Sequence, residues 1–77
     1  MYLSDLLGIC QANHVAVVRE GELRPYWEGC GVTERGLPID FDREAQADGI
    51  NLYVRVNWFS EYYDPRHGGG IMIEVER

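Results

Sequence analysis

The chain contains no lysine. All seven of its basic residues are arginine, against thirteen Asp and Glu, which gives a net charge of −6 at pH 7. A field of that sign repels phosphate, so direct binding of DNA, RNA or anionic lipid is disfavoured and basic partners are favoured. Long hydrophobic runs are also missing. No apolar stretch approaches the ~18 residues of a membrane-spanning helix. Met1-Tyr2-Leu3-Ser4-Asp5 has neither the basic start nor the apolar core of a secretory signal. These absences predict a cytoplasmic protein with no membrane contact. Only two cysteines occur, Cys10 and Cys30, and without export they are expected to remain reduced thiols.

Catalytic and cofactor motifs are absent as well. Cys10, His14, Cys30 and His67 have the residue types of a zinc site, but there is no CxxC and the spacing is scattered. Cys10 also falls on an apolar stripe, where a free cysteine acts as a small hydrophobe. Cys30 with His67 and Asp64 has the makings of a thiol nucleophile and its base, yet no pattern brings the three together. The run Gly68-Gly69-Gly70 lacks the Lys-Ser/Thr and the helix that a phosphate-cradling loop requires. Asp40, Asp42, Glu44 and Asp48 lack the glycine and the final glutamate of a calcium-binding EF-hand loop. No cofactor or metal is therefore expected, and the chain is not expected to be an enzyme.

What is present suits a compact core. Of 77 residues 45% are hydrophobic, with two Trp, five Tyr and two Phe. Such a length predicts one domain, residues 1–77, burying about 60–65% of the surface its unfolded form exposes. The stability margin expected of it is roughly 3–5 kcal/mol. Domains this small often finish burying apolar surface by oligomerising, which keeps a homodimer among the expectations.

Along the chain, Leu3, Leu6, Leu7 and Cys10 repeat at i, i+3, i+4 and i+7, which predicts a short helix over residues 4–12. Ser4 is its expected N-cap and Asn13 its stop, while Gly8 weakens it by about 1 kcal/mol. Residues 14–20 (HVAVVRE) are rich in β-branched side chains and predict a strand. After a turn at Glu20-Gly21-Glu22, residues 23–28 predict a second strand, which Pro25 either confines to an edge or distorts. Gly29-Cys30-Gly31 reads as a break, and Gly36-Leu37-Pro38 as a turn. Residues 41–48 predict a second short helix, capped by Asp40 or Asp42 and stopped by Gly49. From 51 to 59, Leu52, Val54, Val56 and Trp58 alternate with polar or aromatic residues, predicting a strand with one apolar face. Residues 71–76 complete an antiparallel hairpin with it, with Arg55 near Glu74 or Glu76. The intervening residues 60–70 form either an extension of the two strands into an arm or an open loop tipped by the glycines.

The expected fold is α+β: a short N-terminal helix packed on an antiparallel sheet of about four strands, with a second short helix around 41–48. The acidic residues Glu34, Asp40, Asp42, Glu44, Asp48, Glu61 and Asp64, with Tyr62 and Tyr63, make up the expected partner-binding surface. Tyrosine offers large contact area and a polar tip at low entropic cost. The function these features favour is a small inhibitor or adaptor that occupies a basic site on another protein, its carboxylates imitating nucleic-acid phosphates. The partner would then be a nucleic-acid-binding effector complex. In format, tiny, acidic and free of motifs, the chain is similar to phage-encoded anti-defence proteins, anti-CRISPR proteins among them, although no residue motif carries the likeness. The alternative is a structural or accessory subunit that forms a homodimer or joins an assembly through a sheet edge.

Overall fold

A computed structural model describes residues 1–10, 12–30, 40–65 and 68–77, with the backbone alone for Asp64. Helix α1 spans Leu3–Leu7, strand β1 His14–Arg19, β2 Trp27–Cys30, helix α2 Phe41–Ala47, β3 Val56–Asp64 and β4 Gly68–Val75. The strands form one sheet in the order β2-β1-β4-β3. The outer pairs, β2 with β1 and β3 with β4, are antiparallel, whereas the central pair, β1 with β4, is parallel. The α+β arrangement of two short helices and four strands therefore holds, but the sheet is mixed rather than wholly antiparallel. The parallel centre arises because the chain from β1 runs out through β2, α2 and the edge strand β3 before it returns beside β1 as β4. A strand buried on both faces reads as an apolar run, as β1 does: His14 through Val18 are all buried.

Both helices lie on one face of the sheet. Leu3, Leu6 and Leu7 of α1 and Phe41 and Ala45 of α2 close over Val15, Val17, Trp27, Ile73 and Val75. Helix α1 is shorter than its apolar stripe predicts and begins one residue sooner. Its N-cap is Tyr2, not Ser4, and the Tyr2 N–H donates to Asp5 Oδ2 at 3.0 Å. The cause lies in tertiary pairing. Leu3 and Ser4 donate their N–H groups to the carbonyls of Val54 and Leu52, and Val56 donates to that of Met1. The helix ends at Gly8, and Ile9 and Cys10 make tighter i→i−3 bonds beyond it.

The second strand also moves. Leu23 is fully exposed, and β2 begins at Trp27 and runs through Gly29 and Cys30, which the sequence marks as a break. Here the glycine serves close packing. A Cβ at Gly29 would lie 2.6 Å from the Trp27 ring and 2.8 Å from Phe41 Cδ1. Phe41 thus rests directly on the strand backbone, and this seat positions α2. The Gly36-Leu37-Pro38 turn and Glu34 fall outside the described residues. Of the two expected caps, Asp40 takes the N-cap position of α2, without a side-chain capping hydrogen bond, and Asp48 follows its last turn.

The third strand starts at Val56 rather than Asn51 and continues to Asp64, so the hairpin extends into the arm. Gly68, Gly69 and Gly70 are not a loose tip: they pair with Asp64, Tyr63 and Tyr62. Gly70 permits a second close approach, because a Cβ there would meet the Tyr62 ring at 2.9 Å and the His14 carbonyl at 3.0 Å. A register shift between Val56 and Trp58 leaves Asn57 as an extra residue. Such a bulge reverses the faces of everything beyond it. Leu52, Val54 and Val56 do pack against the core, but Trp58 turns to the opposite face of the sheet. Arg55 meets Glu76 through its backbone carbonyl, and Glu74 accepts instead from Asn57 Nδ2 at 3.1 Å. Among the described residues, no helix is long and apolar enough to cross a membrane.

Candidate functional site

Directly opposed residues of an antiparallel pair share a face. Phe59, Glu61 and Tyr63, opposite Ile73, Ile71 and Gly69, lie on the helix-bearing side of β3. Trp58, Ser60 and Tyr62, opposite Glu74, Met72 and Gly70, lie on the other. Trp58 is 47%, Phe59 51% and Tyr63 76% exposed. The Met1–Leu3 segment covers the outer backbone only as far as Val56. From Trp58 to Asp64 no described segment pairs with the outer side of β3. A row of unpaired backbone groups flanked by large aromatics is a template for another strand.

Tyr62 is the exception among these aromatics, being half-buried. Its hydroxyl bonds His14 Nδ1, and the two rings meet edge to face at 5.6 Å and 75°. His14 is buried on β1, and its Nε2 lies 3.4 Å from Glu28 Oε1 of β2. With Tyr62 on one nitrogen and Glu28 near the other, His14 ties both edge strands to the centre of the sheet. The free thiol Cys30 stands opposite His14 in the β1–β2 ladder. Beside Tyr62 a cleft of about 440 Å³ opens at the start of β4, bordered by Ala12, Glu61, Gly69, Gly70 and Ile71.

The expected partner-binding residues do not form one surface. Asp40, Asp42, Glu44 and Asp48 belong to α2, which packs on β2 at one edge, while Glu61, Tyr62 and Tyr63 belong to β3 at the other. Asp48 is engaged within the fold, for the Trp27 Nε1–H donates to its Oδ2 at 2.8 Å. Asp40 and Glu44 are exposed and Asp42 half-buried. The hydrogen bond with Asp42, with some burial and the repulsion of its charge, raises the Asp40 carboxyl above its ordinary value, and Arg43 opposes this. Glu34, His67 and the side chain of Asp64 fall outside the described residues. Cys10 packs against the core, and no cluster of three His, Cys, Asp or Glu is arranged for a metal ion among the described residues.

Sequence reasoning passes over Trp58 and Phe59 as contact residues and His14 and Glu28 as partners. A signal for the first pair exists: adjacent aromatics in a strand cannot both face one core. The second pair leaves none, since the two are joined only by strand register. No family model, curated protein or solved structure matches the chain.

Proposed function

We propose that the chain is a small protein-binding domain of the adaptor or inhibitor type, which captures an extended segment of its partner along the outer edge of β3. The observation that carries this is the set of exposed aromatics, Trp58, Phe59 and Tyr63, on an edge strand whose outer backbone, from Trp58 to Asp64, pairs with none of the described residues. Strand addition draws affinity from main-chain hydrogen bonds and specificity from alternate side chains. The cleft beside Tyr62 offers a recess for an anchoring side chain of the partner. Glu61 in the middle of the edge, on a chain of net charge −6, favours a partner segment in which Lys or Arg alternates with apolar residues.

A second reading rests on α2. Exposed Asp40 and Glu44, with Asp42 crowding Asp40, present carboxylates that a basic surface would relieve. This is the charge-mimic inhibitor, whose anti-defence form would block a nucleic-acid-handling complex. The two readings separate in one experiment. Tagged wild type, a β3 variant (Phe59→Ser with Tyr63→Ser) and an α2 variant (Asp40→Asn, Asp42→Asn, Glu44→Gln) are used to capture partners from lysate, with washes of rising salt. The edge reading expects a specific partner lost only by the β3 variant. Each buried aromatic anchor removed costs on the order of 2 kcal/mol of binding. Loss confined to the α2 variant, with release by salt, overturns it in favour of charge mimicry.

A further inference from the structure

At the C-terminal ends of β1 and β4, away from the cleft beside Tyr62, lies a second cleft of about 360 Å³. Its lining combines the partly buried apolar residues Ile50 and Val54 with Tyr26 and two arginines, Arg19 and Arg77. The Arg19 guanidinium lies over the Tyr26 ring, 4.0 Å from its centroid, which fixes the direction of a long side chain. Arg77 converges on the same end of the sheet: its Nη1 would lie 3.6 Å from a Cβ at Gly21, two residues beyond Arg19. Thirteen carboxylates are available in this chain. Even so, among the described residues none comes within 4.0 Å of either guanidinium, the one close acid–base pair being His14 with Glu28. Glu76 also borders the cleft without pairing with them.

Unpaired carboxylates need no explanation in so acidic a protein, but two arginines at one cleft with no carboxylate partner among the described residues leave a set of fork-shaped donors suited to a planar anion. The volume is at the low end for small-molecule sites, which run from about 300 to 1,000 Å³. Burial pushes the Tyr26 phenol above its ordinary value, with Arg19 opposing. The ring thus adds no negative charge at neutral pH.

We propose that this cleft binds a small organic carboxylate, its anionic head between the Arg19 and Arg77 guanidinium groups and its apolar body over Ile50 and Val54. The site is independent of the β3 edge and stands whether or not that edge binds a partner.

The test is a titration of the full chain, followed by amide chemical shifts. The probes are phenylacetate, phenylacetamide, N-acetylglycylphenylalanine and inorganic phosphate. Saturating shifts at Arg19, Tyr26, Ile50, Val54 and Val75 with the carboxylates are expected. Phenylacetamide and phosphate should bind about tenfold more weakly or worse, since each lacks half of the recognised chemistry. Arg19→Gln and Arg77→Gln should each weaken phenylacetate by about tenfold, and Arg43→Gln on α2 should not. Both cleft arginines are exposed, and should Arg19→Gln unfold, Arg77→Gln still decides. Tighter binding of the acetylated dipeptide supports a chain terminus as the source of the carboxylate, and tighter binding of phenylacetate supports a free acid. Equal binding of amide and acid, phosphate as tight as phenylacetate, shifts confined to other residues, or indifference to both substitutions would each overturn the proposal.

Discussion

Single contacts decide more in this chain than its composition suggests. Gly29 is a strand residue because Phe41 and the Trp27 ring occupy the space of its missing side chain. Gly29→Ala should therefore cost about 1–3 kcal/mol by overpacking. Gly69→Ala, where a Cβ would meet nothing within 4 Å, should change stability by less than about 0.5 kcal/mol. Urea unfolding of the two variants gives the comparison. Equal effects would remove the Phe41 seat as the feature that positions α2. The Tyr62 hydroxyl is the partner of His14 Nδ1 in the interior. Tyr62→Phe keeps the ring and removes this hydrogen bond, which should cost about 0.5–1.5 kcal/mol in the same assay. Wild-type stability in Tyr62→Phe would show that the hydroxyl contributes nothing net.

The elements show which acids are structural and which are free. Asp48 holds the Trp27 indole at the end of α2. Asp48→Ala should lower stability by about 1–2 kcal/mol, the lower part of the range for hydrogen bonds to charged groups, because the site is partly exposed. At the other end Asp40 is raised by its hydrogen bond with Asp42. A carboxyl with a raised folded pKa favours the native state at low pH, and that contribution is lost as pH rises through the carboxylate range. Asp40→Asn keeps a good capping residue and removes the crowded charge. The variant should melt above wild type at pH 7, with the gap closing below about pH 4, where carboxyls protonate in both chain states. A thermal melt at the two pH values checks this, and a variant that melts below wild type at pH 7 would contradict it. Much of α2 was legible in the sequence, since its cap, its stop and its buried pair Phe41 and Ala45 are local. Helix α1 was legible only as an apolar stripe. Its start is set by pairing of Met1–Ser4 with residues 52–56, about fifty positions away, which no local signal reveals.

At the scale of the whole molecule, the sheet has one blunted edge and, among the described residues, one open one. The β2 edge is short and sits under α2, while β3 runs nine residues with Trp58, Phe59 and Tyr63 in solvent. A second copy is a poor occupant of the open edge. Two chains of −6 repel, and a two-fold centred on Glu61 sets like charges opposite each other. Light scattering across a dilution series should thus give a monomer mass at physiological salt. A stable dimer abolished by Phe59→Ser with Tyr63→Ser would instead assign the edge to self-assembly. That double variant should leave the melting temperature within a few degrees of wild type, because neither side chain belongs to the buried core.

The sequence by itself determined what depends on neighbours along the chain: the α+β content, the strand character of 14–19, the second helix, the hairpin near the C-terminus and the sign of the surface. Those features follow from residue periodicity, capping and charge, which act over a few positions. Tertiary structure decided what depends on register and on close approach. The parallel pairing of β1 with β4 follows from the route of the chain between them. The glycines at 29 and 70 became packing sites because a ring lies where a Cβ would be. One extra residue at Asn57 turned Trp58 away from the core, so the strand read as half-buried became the exposed edge. The candidate surface divided because the strand order puts the acids of α2 and the tyrosines of β3 at opposite edges of the sheet.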